Sequence, residues 1–317
     1  MSTPSFRRAR LGRPLATMAV ATATLFMVVP VASAAASSDT AGTAGASAHH
    51  GSKHQTAANK KVVVRFFNQL FNQGDLSAID TYVRPDLIQH NPAVADRATG
   101  LRTFVAGLKA QYPESSVSIK RVLAEGDLVA VHTNFILEPG TKGLTVVNIL
   151  RMQDGRIAES WEVSQQVPDA IPSGNDMFST VSSPQLPGPD PQASGAESKR
   201  IALEFFTAAA INRDLTAPDR YAKDPYYNHS AYVGNGIAAT KELFRNLFAE
   251  SPDVTFNIKR VVAEGDLVVL QYHLKRTADD PGTAFVDIFR VRDGKVVEFW
   301  DIIQAVPTTS ANDNGMF

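Results

Sequence analysis

Eleven residues of this chain, Ile119-Lys120-Arg121-Val122-Leu123-Ala124-Glu125-Gly126-Asp127-Leu128-Val129, return as Ile258-Lys259-Arg260-Val261-Val262-Ala263-Glu264-Gly265-Asp266-Leu267-Val268, an offset of 139 residues. The same offset carries Phe66-Phe67 to Phe205-Phe206, His90 to His229, Trp161 to Trp300, Val167-Pro168 to Val306-Pro307 and Met177-Phe178 to Met316-Phe317. Solenoid repeats are far shorter, so a period of this length means that a whole domain is duplicated. The 317 residues therefore hold one fold twice, with room for a core in each copy.

What lies outside the copies reads as address and spacer. Arg7, Arg8, Arg10 and Arg13 precede an apolar stretch from Leu15 to Val31, and Ala32-Ser33-Ala34 fits a signal-peptidase site. Residues 1–34 are expected to be a cleaved export signal, since about 17 apolar residues are short for a membrane span. An uncleaved N-terminal anchor is the alternative, and Arg7-Arg8 gives only a weak twin-arginine signal. Loss of the four leader arginines takes the net charge from −1 to −5, and the balance of basic and acidic residues argues against a nucleic-acid partner. The chain has no cysteine, which excludes disulfides, thiolate metal sites and cysteine nucleophiles together. Residues 35–59, rich in Ala, Ser, Gly and Thr, read as a disordered spacer in which His49, His50 and His54 are solvated. Residues 179–196, with Pro184, Pro187, Pro189 and Pro191, read as a semi-rigid linker between domains 60–178 and 197–317.

Each copy has the same plan. Val63, Phe66, Phe67, Leu70 and Phe71 mark a first helix stopped by Gly74, a short helix fits Leu76 to Val83, and Leu101, Phe104, Val105 and Leu108 mark a third. Four strand-like runs follow, Val117–Ala124, Leu128–Leu137, Leu144–Met152 and Arg156–Val167, divided by Gly126-Asp127, Pro139-Gly140 and Asp154-Gly155. Helices first and a meander after imply an α+β domain, with three helices on one face of a curved antiparallel sheet.

Because strand side chains alternate between faces, a polar residue within the apolar set is informative. Phe285, Asp287, Phe289 and Val291 share a face, which puts a carboxyl among apolar neighbours and should raise its pKa into the range of a useful acid or base. A two-residue Asp293-Gly294 turn would set Asp287 opposite Trp300, with Ile302 and Gln304 continuing that face. The first copy offers Asn148, Trp161 and Gln165 at the corresponding positions. Asp301 and Glu162 point the other way in this register, and one extra residue in the hairpin would exchange the faces. His132 with Asn134, and Gln271 with His273, place an imidazole and an amide on one face of the second long strand. His90 and His229 follow the second helix in both copies. Neither copy offers three well-placed histidines, so a metal is not expected, and no phosphate-binding loop or nucleophile elbow calls for a cofactor.

Gln89-His90-Asn91-Pro92, Ala263-Glu264-Gly265-Asp266, Val286-Asp287-Ile288-Phe289-Arg290, Glu298-Phe299-Trp300-Asp301, Gln304-Ala305-Val306-Pro307 and Asn314-Gly315-Met316-Phe317 together resemble the SnoaL-like polyketide cyclase families of the nuclear transport factor two-like superfamily. The similarity covers about 62–178 and 201–317 and is strongest to the branch described as SnoaL-like aldol-condensation-catalysing enzymes. The resemblance implies two cone-shaped α+β barrels with deep apolar pockets, paired through their sheets as a pseudo-dimer within one chain. It also implies departures. The branch's His before Trp is Ser160 and Phe299 here, and its His-x-His is broken in both copies. Gln165 and Gln304 stand where studied cyclases carry an acid, and the strand Asp survives only as Asp287.

The leading expectation is thus a secreted protein with an apolar small-molecule pocket in each half, the second half catalysing an aldol-type cyclisation or isomerisation. Asp287 would be the base, His229 and His273 the donors to a developing enolate, and Trp300 the wall. Phe289, Gln304, Gln271, His90, His132, Asn134, Asn148, Trp161 and Gln165 complete the expected pocket linings. The alternatives are a non-catalytic extracellular binder of an apolar molecule, motivated by Asn148 and the broken histidine pairs, and a first copy that serves only as structural partner.

Overall fold

The structure is a computed structural model that describes residues 53–317; the leader and most of the spacer lie outside the described residues. Repeat 1 runs α1 (Lys53–Phe67), a π-helical turn (Asn68–Asn72), α2 (Ser77–Tyr82), β1 (Val83–Gln89), α3 (Arg97–Gln111), β2 (Ser116–Glu125), β3 (Leu128–Ile136), β4 (Leu144–Gln153) and β5 (Arg156–Gln166). Repeat 2 follows the same order as α4 (Gly195–Phe206), a π-helical turn (Thr207–Ile211), α5 (Ala217–Tyr221), β6 (Ala222–Asn228), α6 (Ile237–Glu250), β7 (Thr255–Glu264), β8 (Leu267–Lys275), β9 (Thr283–Arg292) and β10 (Lys295–Ala305). The α+β class and the tandem arrangement are as expected, although α1 starts at Lys53, inside the stretch read as spacer, and already buries Asn59.

Each sheet has the order β1-β5-β4-β3-β2, or β6-β10-β9-β8-β7, and is mixed rather than purely antiparallel. The added strand is β1, which pairs parallel to β5. Its Arg84-Pro85-Asp86 centre does not read as a strand, since Pro has no N–H to give a ladder. An edge strand bonded on one side tolerates it. The β4–β5 and β9–β10 hairpins close through Asp154-Gly155 and Asp293-Gly294, with φ of 52° and 74°, and 49° and 73°. Both central residues being left-handed is the type I′ turn that suits twisted strands.

Both faces of each sheet are buried. One face meets its own helices, through Val63, Phe66, Phe67, Leu70, Val129, Val131 and Leu150 in repeat 1. The other meets the opposite repeat, where Val147, Ile149, Trp161 and Val163 join Val269, Val286, Ile288, Trp300 and Ile302 in one core. Strands enclosed on both sides read as continuous apolar runs, which is why Val146–Leu150 and Val286–Val291 alternate so poorly.

The conserved spacing of the two Ala-Glu-Gly-Asp segments has a structural use at this seam. Glu264 accepts from the Ala124 amide and pairs with Lys60 at 2.8 Å, while Glu125 accepts from the Ala263 amide and pairs with Lys199 at 3.0 Å. The Pro-rich segment between the repeats packs on repeat 2 as a strap. Its Val181 and Ser182 bond the Glu298 carboxylate, and its Asp190 amide bonds Asp266. Gly265 lies beneath it, where a Cβ would come within 2.2 Å of the Asp190 carbonyl oxygen.

Candidate functional site

The register of the last hairpin decides which side chains face the helices. Arg292 pairs with Lys295 as the turn requires, but a bulge at Val297 then shifts the ladder, so that Glu298 opposes Arg290 and Asp301 opposes Asp287. The same bulge at Ala158 sets Glu162 opposite Asn148. One extra residue transfers every later side chain to the other face. Trp300 therefore pairs with Ile288 and turns into the seam between the sheets, as does Trp161 opposite Ile149, and the expected Asp287–Trp300 pairing is replaced by Asp287–Asp301.

The seam collects most of the polar residues that were expected in a pocket. Gln165 accepts from the Ile303 amide and Gln304 from the Ser164 amide, each bracing the opposite repeat. His90 stacks on Trp161 and bonds Glu159, and His229 stacks on Trp300 and bonds Glu298, at 2.9 Å in both cases. Arg260 lies 3.4 Å over the Trp161 ring and is held by Gln271, while Arg121 lies 4.1 Å over Trp300 and is held by His132. Burial, reinforced by the Arg121 charge, keeps His132 well below the usual imidazole range, so it accepts from Arg121 and donates to Thr145. Asn134 braces its own hairpin through the Lys142 and Leu144 carbonyls. His273 stacks on Phe317 and donates to the Pro281 carbonyl. Gln271 and His273 oppose Val286 and Ala284, so they share the seam face and not that of Asp287.

The helix-side faces carry the chemistry that remains. In repeat 1 a cavity of about 60 Å³ lies between the sheet and α1–α3, with Phe66, Phe67, Phe71 and Phe104 among its walls. That is room for a few water molecules or a compact organic group. Its polar lining is Gln89, Asn91, Asn148, Ser160 and Glu162, so Glu162 is the one titratable group among the lining residues. Asn91 donates to one Glu162 oxygen at 2.7 Å and Asn148 to the other at 2.8 Å. Burial pushes the Glu162 carboxyl above its ordinary value, and the Asn148 amide works against that shift. The sequence signal for Gln89 and Asn91 is the Gln89-His90-Asn91-Pro92 motif itself, in which only His90 stands out by residue type. In Gln89-His90-Asn91 the two amides line the cavity, while His90, whose type suggested chemistry, points into the seam.

Repeat 2 fills the equivalent positions with larger side chains. At the offset of 139, Leu87, Thr133, Leu150 and Ser160 become Tyr226, Tyr272, Phe289 and Phe299, which pack within its core. Phe289 stacks edge-on against Phe205 at 6.1 Å, and Tyr272 lies 4.7 Å from Phe206. Asp287 and Asp301 remain face to face at 4% and 6% exposure, with the Tyr272 hydroxyl 3.5 Å from Asp287. Burial, followed by the Asp301 charge, holds Asp287 well above the carboxylate range. Burial also raises Asp301 to about 7, with the Ser230 hydroxyl opposing. Two buried carboxyls so close cannot both ionise cheaply, and the pair holds a proton near neutrality.

This pair makes stability pH-dependent. The folded chain keeps a proton that unfolded Asp301 releases above about pH 4, so stability is full below that and falls as pH rises toward about 7. Asp301→Asn should remove the Asp301 share of that loss while buried Asp287 keeps its own, gaining on the order of 2–4 kcal/mol over the parent at pH 8 relative to pH 4. Denaturant unfolding at the two pH values checks this, and an equal pH dependence in both proteins would refute it.

Comparison with known proteins agrees with this architecture. The family model for the SnoaL-like domain matches residues 63–160 and again 202–299. Among curated proteins no relative matches. Similar solved structures include a candidate polyketide cyclase from Bacillus cereus, 21% identical over 36% of this chain and 78% of that one, with a TM-score of 0.32. AclR, a candidate hydroxylase from Streptomyces galilaeus, is 27% identical over 35% of this chain and 81% of its own, also at 0.32. A candidate ketosteroid isomerase from Kribbella flavida is 17% identical over 38% and 86%, again at 0.32. With both repeats matched over most of their length, the chain belongs to the SnoaL-like domain family and carries that domain twice.

Proposed function

We propose that this protein is an acid/base catalyst of the cyclase or isomerase type, acting on a small carbonyl compound in the repeat 1 cavity. The observation that carries the reading is Glu162: a carboxylate in a phenylalanine-lined cavity, oriented by two amides and paired with no cation among the described residues. Apolar surroundings raise the basicity of such a group, and the amides fix its lone pairs relative to a bound molecule. Glu162 would take a proton from the carbon beside the carbonyl. The Gln89 amide nitrogen, which has no hydrogen-bond partner among the described residues, and the Ser160 hydroxyl would donate to the oxygen as it gains charge. The cyclase and isomerase descriptions carried by similar structures support this class of chemistry for the family.

The sequence favoured repeat 2 through Asp287, and its acid pair has suitable basicity. Repeat 1 is preferred because its smaller side chains leave a cavity beside the carboxylate. Exchange of the α-protons of acetone, a ketone small enough for the cavity, in deuterated buffer, followed by NMR, tests the proposal without knowledge of the natural substrate. The protein should accelerate exchange above buffer, and a rate equal to buffer across a panel of small ketones would refute it. The specific alternative, a binder without catalysis, predicts ketone binding with no exchange.

A further inference from the structure

The wall of the repeat 1 cavity is held from outside that repeat. Gln89 and Asn91 sit where β1 turns into α3, and the C-terminal residues of repeat 2 cross the seam to this turn. The Ala311 amide donates to the Pro92 carbonyl at 2.8 Å. The Asn312 side-chain amide donates to the carbonyls of Asn91 and Val94 at 2.8 and 2.9 Å. Asn314 donates to the Gln89 carbonyl and to Asp96, both at 3.0 Å, and His90 bonds the Gly315 carbonyl at 2.9 Å. Met316 anchors the segment in the shared core.

The crossing is reciprocal but unequal. Asn175, at the offset of 139 from Asn314, donates to the Asn228 carbonyl and to Asn235, which reproduces the Asn314 contacts on repeat 2. The position corresponding to Asn312 is Ser173, which has no side-chain amide to give and instead offers its carbonyl to Asn235. The tail of repeat 2 thus grips the turn beside the cavity with three donor groups, Ala311, Asn312 and Asn314, where Asn175 is the one corresponding donor of the repeat 1 tail among the described residues.

We propose that Asn312 and Asn314 are positioning residues for the repeat 1 site, so that the site is complete only when the repeat 2 tail is docked. They touch no substrate. They act through the backbone of residues 89–94, which sets where the Gln89 and Asn91 amides lie relative to Glu162. This assigns a role to the second repeat beyond the pairing of sheets, and to its Asn314-Gly315-Met316-Phe317 motif. It rests on the Glu162 cavity being the working site.

The test reads Glu162 itself, through its carboxyl carbon resonance as a function of pH, in the chain spanning residues 35–317. Asn91 donates to the charged form of Glu162, so loosening Asn91 should raise the Glu162 titration midpoint. In Asn312→Ala and Asn314→Ala the midpoint should rise by about 0.5–1 pH unit, additively or more in the double variant. The control is Asn175→Ala, which loosens the matching tail on the other repeat and should leave Glu162 as in the parent. Thermal unfolding of all three reports general loss of stability, which a structural role alone would produce equally on both sides. An unshifted midpoint in both tail variants overturns the proposal, and so does an equal shift in Asn175→Ala. Should the double variant fail to fold, each single variant gives the same reading. No substrate enters this measurement, so absence of ketone exchange in the parent protein would refute the catalytic reading while leaving the tail's action on Glu162 to be decided by its own result.

Discussion

Glu162→Gln is expected to lower the exchange of acetone α-protons by at least about 100-fold, the usual contribution of a positioned general base. The substitution keeps the shape of the side chain and removes only its ability to take a proton. It also sets an amide against the two donors that hold Glu162. Asn91 cannot turn over without losing the bond from the Ala93 amide to its own oxygen, but Asn148 uses its oxygen for no other partner among the described residues and can rotate to accept. The variant should therefore fold, with unfolding stability within about 1 kcal/mol of the parent, as an isosteric exchange that keeps its hydrogen bonds satisfied allows. NMR exchange rates and a denaturant curve on the same sample separate the two effects. An unchanged exchange rate in a folded variant would remove Glu162 from the chemistry.

Trp300→Ala should be the most damaging single substitution for stability. The indole is fully buried, stacks on His229 at 4.8 Å, lies beneath the Arg121 guanidinium at 4.1 Å and donates to the Ser179 carbonyl at 3.1 Å. Truncation leaves a cavity between the two sheets, strips an aromatic face from a buried cation and deprives the strap of a donor. Losses of about 3–5 kcal/mol follow removal of a large buried aromatic, and this site combines that with broken polar contacts. Chemical denaturation measures the loss. Were Trp300 instead a pocket wall, the variant would keep most of its stability and lose ligand affinity, so the two placements predict opposite outcomes.

The residues themselves show why some of the site was legible. Asp287 was singled out because a carboxyl in an apolar strand needs a reason, and the structure puts it in a buried carboxyl pair. Asn148 was recognised as its counterpart. Glu162 and Asp301, second choices on the sequence, are the acids on the helix-side face. His90 and His229 stand out by residue type, yet each hydrogen-bonds a glutamate and stacks on a tryptophan in the seam, and it is the amides on either side of His90 that line the cavity. The two glutamines expected in pockets, Gln165 and Gln304, tie one repeat to the other.

The offset of 139 residues, the turn chemistry of Asp154-Gly155 and Asp293-Gly294, and the run of helices before strands determined by themselves that the chain folds as one α+β domain twice. These are local or self-comparing signals, and no distant contact is needed to read them. Which side of each last strand faces the helices was decided only in the tertiary structure. A strand has a period of two residues, so a single bulge at Ala158 or Val297 exchanges the faces, and both faces here are apolar enough that hydrophobic pattern cannot choose between them. The crossing of each tail to the opposite repeat was decided at the same level, because it depends on how two sheets meet and leaves no periodic trace in the residues that make it.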